Sequence, residues 1–150
     1  MATGLPRTKA RRAAVQALYQ ALVNDEVPQK DALEFVTAEY ADKIDKKYFI
    51  TLIEGTIQHQ QAIDAALAEV VDRDLKAVDP VEISVLRLAV FEFMNLPEIP
   101  YRVVLNEAVE LAKSFGGEQG HKYVNGVLDK MGARLRPHEY QAAKTARAKK

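Results

Sequence analysis

The sequence predicts an all-α protein: one compact bundle of about six or seven helices with a basic N-terminal arm and a basic C-terminal tail. Three observations carry this. Apolar residues recur at helical spacing in nearly every segment, strand-like alternation is missing, and helix stop and start signals separate the segments. At 150 residues the chain suits one domain with its own core. The expected division is residues 1–136 as the helical domain and 137–150 as a polar, basic, disordered tail.

The first helix, about Thr8 to Val23, puts Val15, Leu18, Tyr19 and Leu22 on one face, and its many alanines raise its propensity. Asn24, Asp25 and Pro28 end it. A second helix is expected from about Gln29 to Tyr40, burying Leu33, Val36 and Tyr40. A third, long one runs from near Asp45 to about Val70, with Phe49, Leu52, Ile53, Thr56, Ile57, Ile63 and Leu67 inward. The stretch "VDRDLKAVDP" interrupts the pattern. Asp79 before Pro80 is a start signal: a capping carboxylate, then a residue whose missing N–H costs nothing at the first helical position.

The helix so opened, "VEISVLRLAVFEFM", is the most apolar and is expected at the centre. "NLPEIP" stops it, and Pro100 opens "YRVVLNEAVELAKSF". Gly116 and Gly117 read as a left-handed cap ending that helix. A last helix, roughly Glu118 to Ala133, should bury Val124, Val127, Leu128 and Met131.

The zero net charge conceals an asymmetry. Residues 1–12 carry +4, residues 130–150 carry +6, and the body between carries −10. Such basic edges on an acidic body often mark a polyanion site, and any nucleic-acid contact must be local. Cysteine is absent, which removes disulfides, thiolate metal sites and cysteine nucleophiles. No apolar run approaches a bilayer span and no secretory h-region is present, so a cytoplasmic protein without membrane contact is the simplest expectation.

An enzyme is hard to build from these residues, and neither a cofactor nor a metal is expected. His59, His121 and His138 are scattered, with no second histidine at i, i+4. Glu107 and Glu110 read as a solvated face. "FGGEQG" lacks the preceding strand and the lysine of a phosphate loop, so it reads first as a cap, with a backbone anion site as the lesser alternative.

The opening "PRTKARRAAVQALYQAL" is different. Arg7, Lys9, Arg11 and Arg12 crowd a helix N-terminus, where cations oppose the macrodipole by about 0.3–1 kcal/mol each. An external anion would explain the placement. A targeting peptide and a featureless solvated end are the alternatives to nucleic acid. Tyr19, Phe115 and Tyr123, with Lys122 beside the last, could hold unstacked bases, provided the first helix and the Phe115–Tyr123 segment are neighbours. A protein-interaction module resting on the Val81–Met94 helix with Glu82 and Glu92 is the second reading, with homodimer formation of the free chain as its variant.

The blocks "RRAAVQALYQ", "AVDPVEISVLRLAVFEF" and "IPYRVVLNEAVELAKSFGGEQGHKYVNGVLDKM" resemble the NusB family of transcription antitermination proteins. The likeness runs from about Arg11 to Arg136, and its most specific part is "NEAVELAKSF" followed by "KYVNGVLDK". The same domain is appended to some ribosomal RNA cytosine methyltransferases, for which this chain has no room.

The resemblance implies binding of single-stranded boxA RNA in ribosomal leader transcripts, as a heterodimer with the ribosomal protein NusE. It further implies joining an elongating RNA polymerase antitermination complex that suppresses premature, Rho-dependent termination. By position, the family's basic arm corresponds to Arg7, Lys9, Arg11 and Arg12. Tyr19, Phe115, Gln119, Lys122 and Tyr123 match its other RNA-facing positions, and Glu82 matches one that meets NusE. Thr8 interrupts the arm and implies weaker RNA binding or a heavier reliance on the partner, whereas Gln119, acidic in some relatives, implies stronger binding.

Overall fold

The computed structural model describes residues 4–26 and 43–148, apart from the side chains of 116–118. The helix expected over Gln29–Tyr40 lies outside the described residues. The rest is helical: α1 (Gly4–Val23), α2 (Lys46–Gln58), α3 (Gln60–Ala68), a 3-10 turn (Leu75–Ala77), α4 (Pro80–Asn95), α5 (Tyr101–Leu135) and α6 (Pro137–Ala148). Among the described residues there is no strand.

α4 is the axis of the bundle, packing against α1, α2, α3 and α5. Its start follows the sequence signal: the Asp79 carboxylate accepts from the N–H groups of Val81 at 2.9 Å and Glu82 at 3.3 Å. Ile83, Val85, Leu86, Leu88, Val90, Phe91 and Phe93 all lie in the core.

α1 packs on a different face from the one expected. Val15 and Leu18 are buried, but Tyr19 is 37% and Leu22 41% exposed. The buried stripe is Ala10, Ala13, Ala14, Ala17, Leu18 and Ala21. Small side chains let α1 lie close on its neighbours, which releases the larger Tyr19 to the surface.

The long third helix is divided at His59, whose backbone leaves helical geometry at φ −104° and ψ 13°. Its ring Nδ1 lies 2.9 Å from the Gly55 carbonyl oxygen and its ring centroid 5.8 Å from that of Phe91. Phe91 in turn sits on Gly55, where a Cβ would lie 2.1 Å from the ring Cζ.

Two further expectations are corrected. Gly116 and Gly117 do not end a helix: α5 runs through them for 35 residues. A glycine inside a helix costs roughly 1 kcal/mol, which the packing of α5 along α4 can offset. Nor is the segment after Pro137 disordered over 137–148, because α6 is tied to the bundle at its first turn.

The buried Arg136 guanidinium donates to the carbonyls of Glu92, Phe93, Leu96 and Ile99 at 3.0–3.3 Å, satisfying the open end of α4. It also donates to Glu139 Oε1 at 2.7 Å, while Glu139 Oε2 accepts from the Tyr101 N–H at 2.8 Å. Glu139 thereby caps α5, whose own N-cap Pro100 offers no side-chain acceptor. Tyr140 meets the Tyr101 ring edge-on at 6.1 Å.

Candidate nucleic-acid interface

The first helix and the middle of α5 are neighbours. The Arg12 guanidinium lies over the Phe115 ring, 4.7 Å from its centroid. Beside this pair a groove of about 320 Å³ is lined by Val15, Gln16, Tyr19, Gln20, Val81 and Phe115. Two aromatic side chains and two amides therefore border one concavity, with Val81 at the head of α4, and the Arg12 cation is stacked on one of the two rings.

Two turns further along α5, the Arg73 guanidinium lies 4.8 Å from the Tyr123 ring centroid. The Tyr123 hydroxyl is buried without a hydrogen-bond partner among the described residues. Burial pushes its pKa up, against the pull of Arg73. Glu82 closes this part of the edge against Gly120, where a Cβ would lie 3.2 Å from Glu82 Oε2. Burial first, then Asp79, raises the Glu82 pKa, with Arg73 opposing. Gln119 and Lys122 are exposed along the same stretch.

Not every basic residue of α1 belongs to the edge. Arg11 is buried to 3% and donates from Nε and Nη2 to the two oxygens of Glu92, both at 2.9 Å. Its Nη1 reaches Glu107 Oε1 at 2.8 Å, and Tyr48 donates to Glu92 Oε2 at 2.6 Å. Thr8 hydrogen-bonds to Glu107 as well. Burial works against the Arg11 charge, but the hydrogen bond and field of Glu92 outweigh it and raise the pKa.

Arg11 is therefore a core strut with no surface to offer a strand of RNA, a correction to its expected place in the arm. Glu92, expected as part of a partner-facing surface, is buried to 1% as its counter-charge. Glu107, expected on a solvated face, is partly buried in the same network.

Arg7 lies over the Tyr48 ring at 4.5 Å and within 3.7 Å of Asp45. Lys9 is half-buried. Because α5 is continuous, no helix begins at Glu118, and the alternative anion site at that N-terminus has no structural basis.

Arg73 and Gln16 are the residues that sequence reasoning missed. Arg73 stands in "VDRDLK", read only as a break, and its partner ring is 50 residues away in sequence. Gln16 follows Arg12 by one turn, the single local signal that it shares the face of that cation.

The sequence pattern of the NusB family matches residues 8–133. The chain belongs to the NusB family. It is 47% identical over 136 residues to the transcription antitermination protein NusB of Nitrosococcus oceani, covering 91% of each chain. To the NusB of Paraburkholderia phytofirmans it is 46% identical over 138 residues, covering 92% of this chain and 96% of the relative.

Among solved structures, Thermotoga maritima NusB superposes with a TM-score of 0.77 at 31% identity, covering 91% of this chain and 97% of that one. NusB from a complex of the antitermination factors NusB and NusE with double-stranded RNA superposes with a TM-score of 0.72 at 26% identity, covering 90% and 96%. The groove between α1 and α5 thus lies wholly within the part matched to the NusB family, whereas α6 begins beyond it.

Proposed function

We propose that this chain is a transcription antitermination factor that binds boxA RNA of ribosomal leader transcripts as a heterodimer with NusE. In this role it joins the elongating RNA polymerase and suppresses premature, Rho-dependent termination. The observation that carries the reading is the Arg12–Phe115 stack beside the Tyr19 groove, a cationic and aromatic edge on an otherwise acidic body. Stacking faces and guanidinium groups are what single-stranded RNA offers its bases and phosphates to.

Arg7, Lys9, Arg12, Tyr19, Phe115, Gln119, Lys122 and Tyr123 form the proposed RNA-facing set. Arg11 is a positioning residue that fixes α1 beneath them. Glu82, set against Gly120 of α5, is the proposed contact to NusE. An adaptor of this kind needs no catalytic group, cofactor or metal. It works in the cytoplasm, and none of the described helices is long and apolar enough to cross a membrane. The named relatives and the NusB of the NusE–RNA complex support this role.

The test is boxA affinity with and without NusE, across a salt series and against a duplex competitor. On single strands log affinity should fall by about 0.7 per neutralised phosphate for each decade of salt. NusE should tighten binding, and Arg12→Ala should weaken it in both conditions. Salt-independent binding, or binding unaffected by NusE, would refute the reading. If sedimentation of the free chain gives a homodimer that NusE dissociates, the Glu82 face serves both associations.

A further inference from the structure

Gln16 lines the groove and carries a hydrogen-bonding atom that the fold leaves unused. Its Oε1 is sealed from solvent and has no hydrogen-bond partner among the described residues. A buried acceptor without a donor is unfavourable, because water satisfied it in the unfolded chain. The residue follows Arg12 by four positions and precedes Tyr19 by three, so cation, amide and ring share one face of α1. Phe115 forms the facing wall. At about 320 Å³ the concavity is near the lower limit of small-molecule sites, a size for one planar group and not for a duplex.

The chemistry of the orphan atom narrows the ligand. A carbonyl oxygen needs a donor, and phosphate oxygens only accept. A nucleobase edge carries an N–H beside an acceptor, the complement of an amide. We propose that Gln16 reads the edge of one unstacked RNA base seated between Tyr19 and Phe115, accepting a base N–H through Oε1 and donating through Nε2. A base seated in the groove lets the amide turn toward it and exchange water for a paired donor and acceptor on the base edge. Gln16 is thus the specificity-determining residue of an edge whose remaining contacts are stacking and charge. The inference rests on the proposed RNA-binding role of this same edge.

The experiment uses the full chain with NusE and a series of short single-stranded RNAs carrying boxA, each position replaced in turn by A, C, G or U. The unaltered protein should discriminate about tenfold or more at one position, as a paired amide does. Gln16→Met should flatten that one position, leave the salt slope unchanged and keep or raise the thermal midpoint. Gln16→Glu, an acceptor only, should shift preference there toward guanine, whose N1–H and N2–H₂ are adjacent donors.

Four results would overturn the inference. Three concern Gln16→Met: retention of the original base ranking, an equal loss of affinity for every sequence, or melting at lower temperature, the last showing a structural partner for the amide. Discrimination that follows the 2′-hydroxyl and not the base would also overturn it. In each of these cases the RNA-binding role stands. Failure of the unaltered protein to bind any of the RNAs, with or without NusE, removes both.

Discussion

Arg11 and Glu92 face each other through two parallel hydrogen bonds of 2.9 Å, with their side chains 3% and 2% exposed. The pair joins α1 to α4 across 81 residues of chain, and the same guanidinium continues to Glu107 on α5. A bidentate arginine fork is geometrically selective, so it fixes the rotation of α1 and thereby where Arg12 and Tyr19 point.

Breaking this pair from one side should be costly. Arg11→Met leaves the Glu92 carboxylate buried and uncompensated, and is expected to destabilise the fold by about 3–5 kcal/mol in urea unfolding. Adding Glu92→Met should recover a large part of that loss, since removing both charges also removes the desolvation penalty. Purely additive losses would show that the two residues do not act as a unit.

Arg12 should behave differently. It is only partly buried, with its guanidinium over Phe115, so Arg12→Ala should change stability by about 0.5–1 kcal/mol while weakening RNA binding and flattening its salt dependence. Arg12→Lys should restore the charge but not the stacked plane. Phe115→Ala is expected to cost about 1–3 kcal/mol of RNA affinity if a base stacks there. Filter binding across a salt series separates these effects.

Gly55 is a packing position. Gly55→Ala improves intrinsic helix propensity by about 1 kcal/mol, yet its Cβ would lie 2.1 Å from Phe91 Cζ. Overpacking of this kind costs about 1–3 kcal/mol, and the net change should be destabilising. Combining it with Phe91→Leu should restore part of the thermal midpoint. A stabilised single variant would mean that the Phe91 ring moves freely.

The docking of α6 should be acid-sensitive. Burial tends to raise the Glu139 pKa, but the Tyr101 N–H and the Arg136 guanidinium hold it below its ordinary 4.5. A depressed carboxylate contributes stability that is present above pH 4.5 and is lost as pH falls through the lowered folded value. The side chain is 43% exposed, so after solvent screening the effect should be below about 1 kcal/mol. The protection of the α6 amides, corrected for the intrinsic exchange rate at each pH, should fall on acidification, and Glu139→Gln should remove that dependence.

Local signals were legible and distant ones were not. Asp79 and Pro80 start α4 as the sequence predicts, because a cap involves only its own first turn. The apolar saturation of α4 likewise predicted its central place. Arg11 was misread because its counter-charges lie 81 and 96 residues away, and no periodicity distinguishes a buried guanidinium from an exposed one. The α1 stripe was misread because large apolar residues were weighed above alanines. The segment after Pro137 looked structureless by composition, whereas its order depends on carbonyls of α4 and an N–H of α5. The base-holding reading required the first helix and the Phe115–Tyr123 segment to be neighbours, and the Arg12–Phe115 contact meets that condition.

The unbroken run of α5 past its paired glycines makes that stretch a ruler. Phe115 and Tyr123 stand eight positions apart on one rigid screw, so they are offset by about 12 Å of rise and a little under a quarter turn. Inserting a single residue between them would swing Tyr123 by about 100° off its present bearing. A loop at Gly116–Gly117 would have tolerated length drift among descendants of this gene; a helix there forbids it.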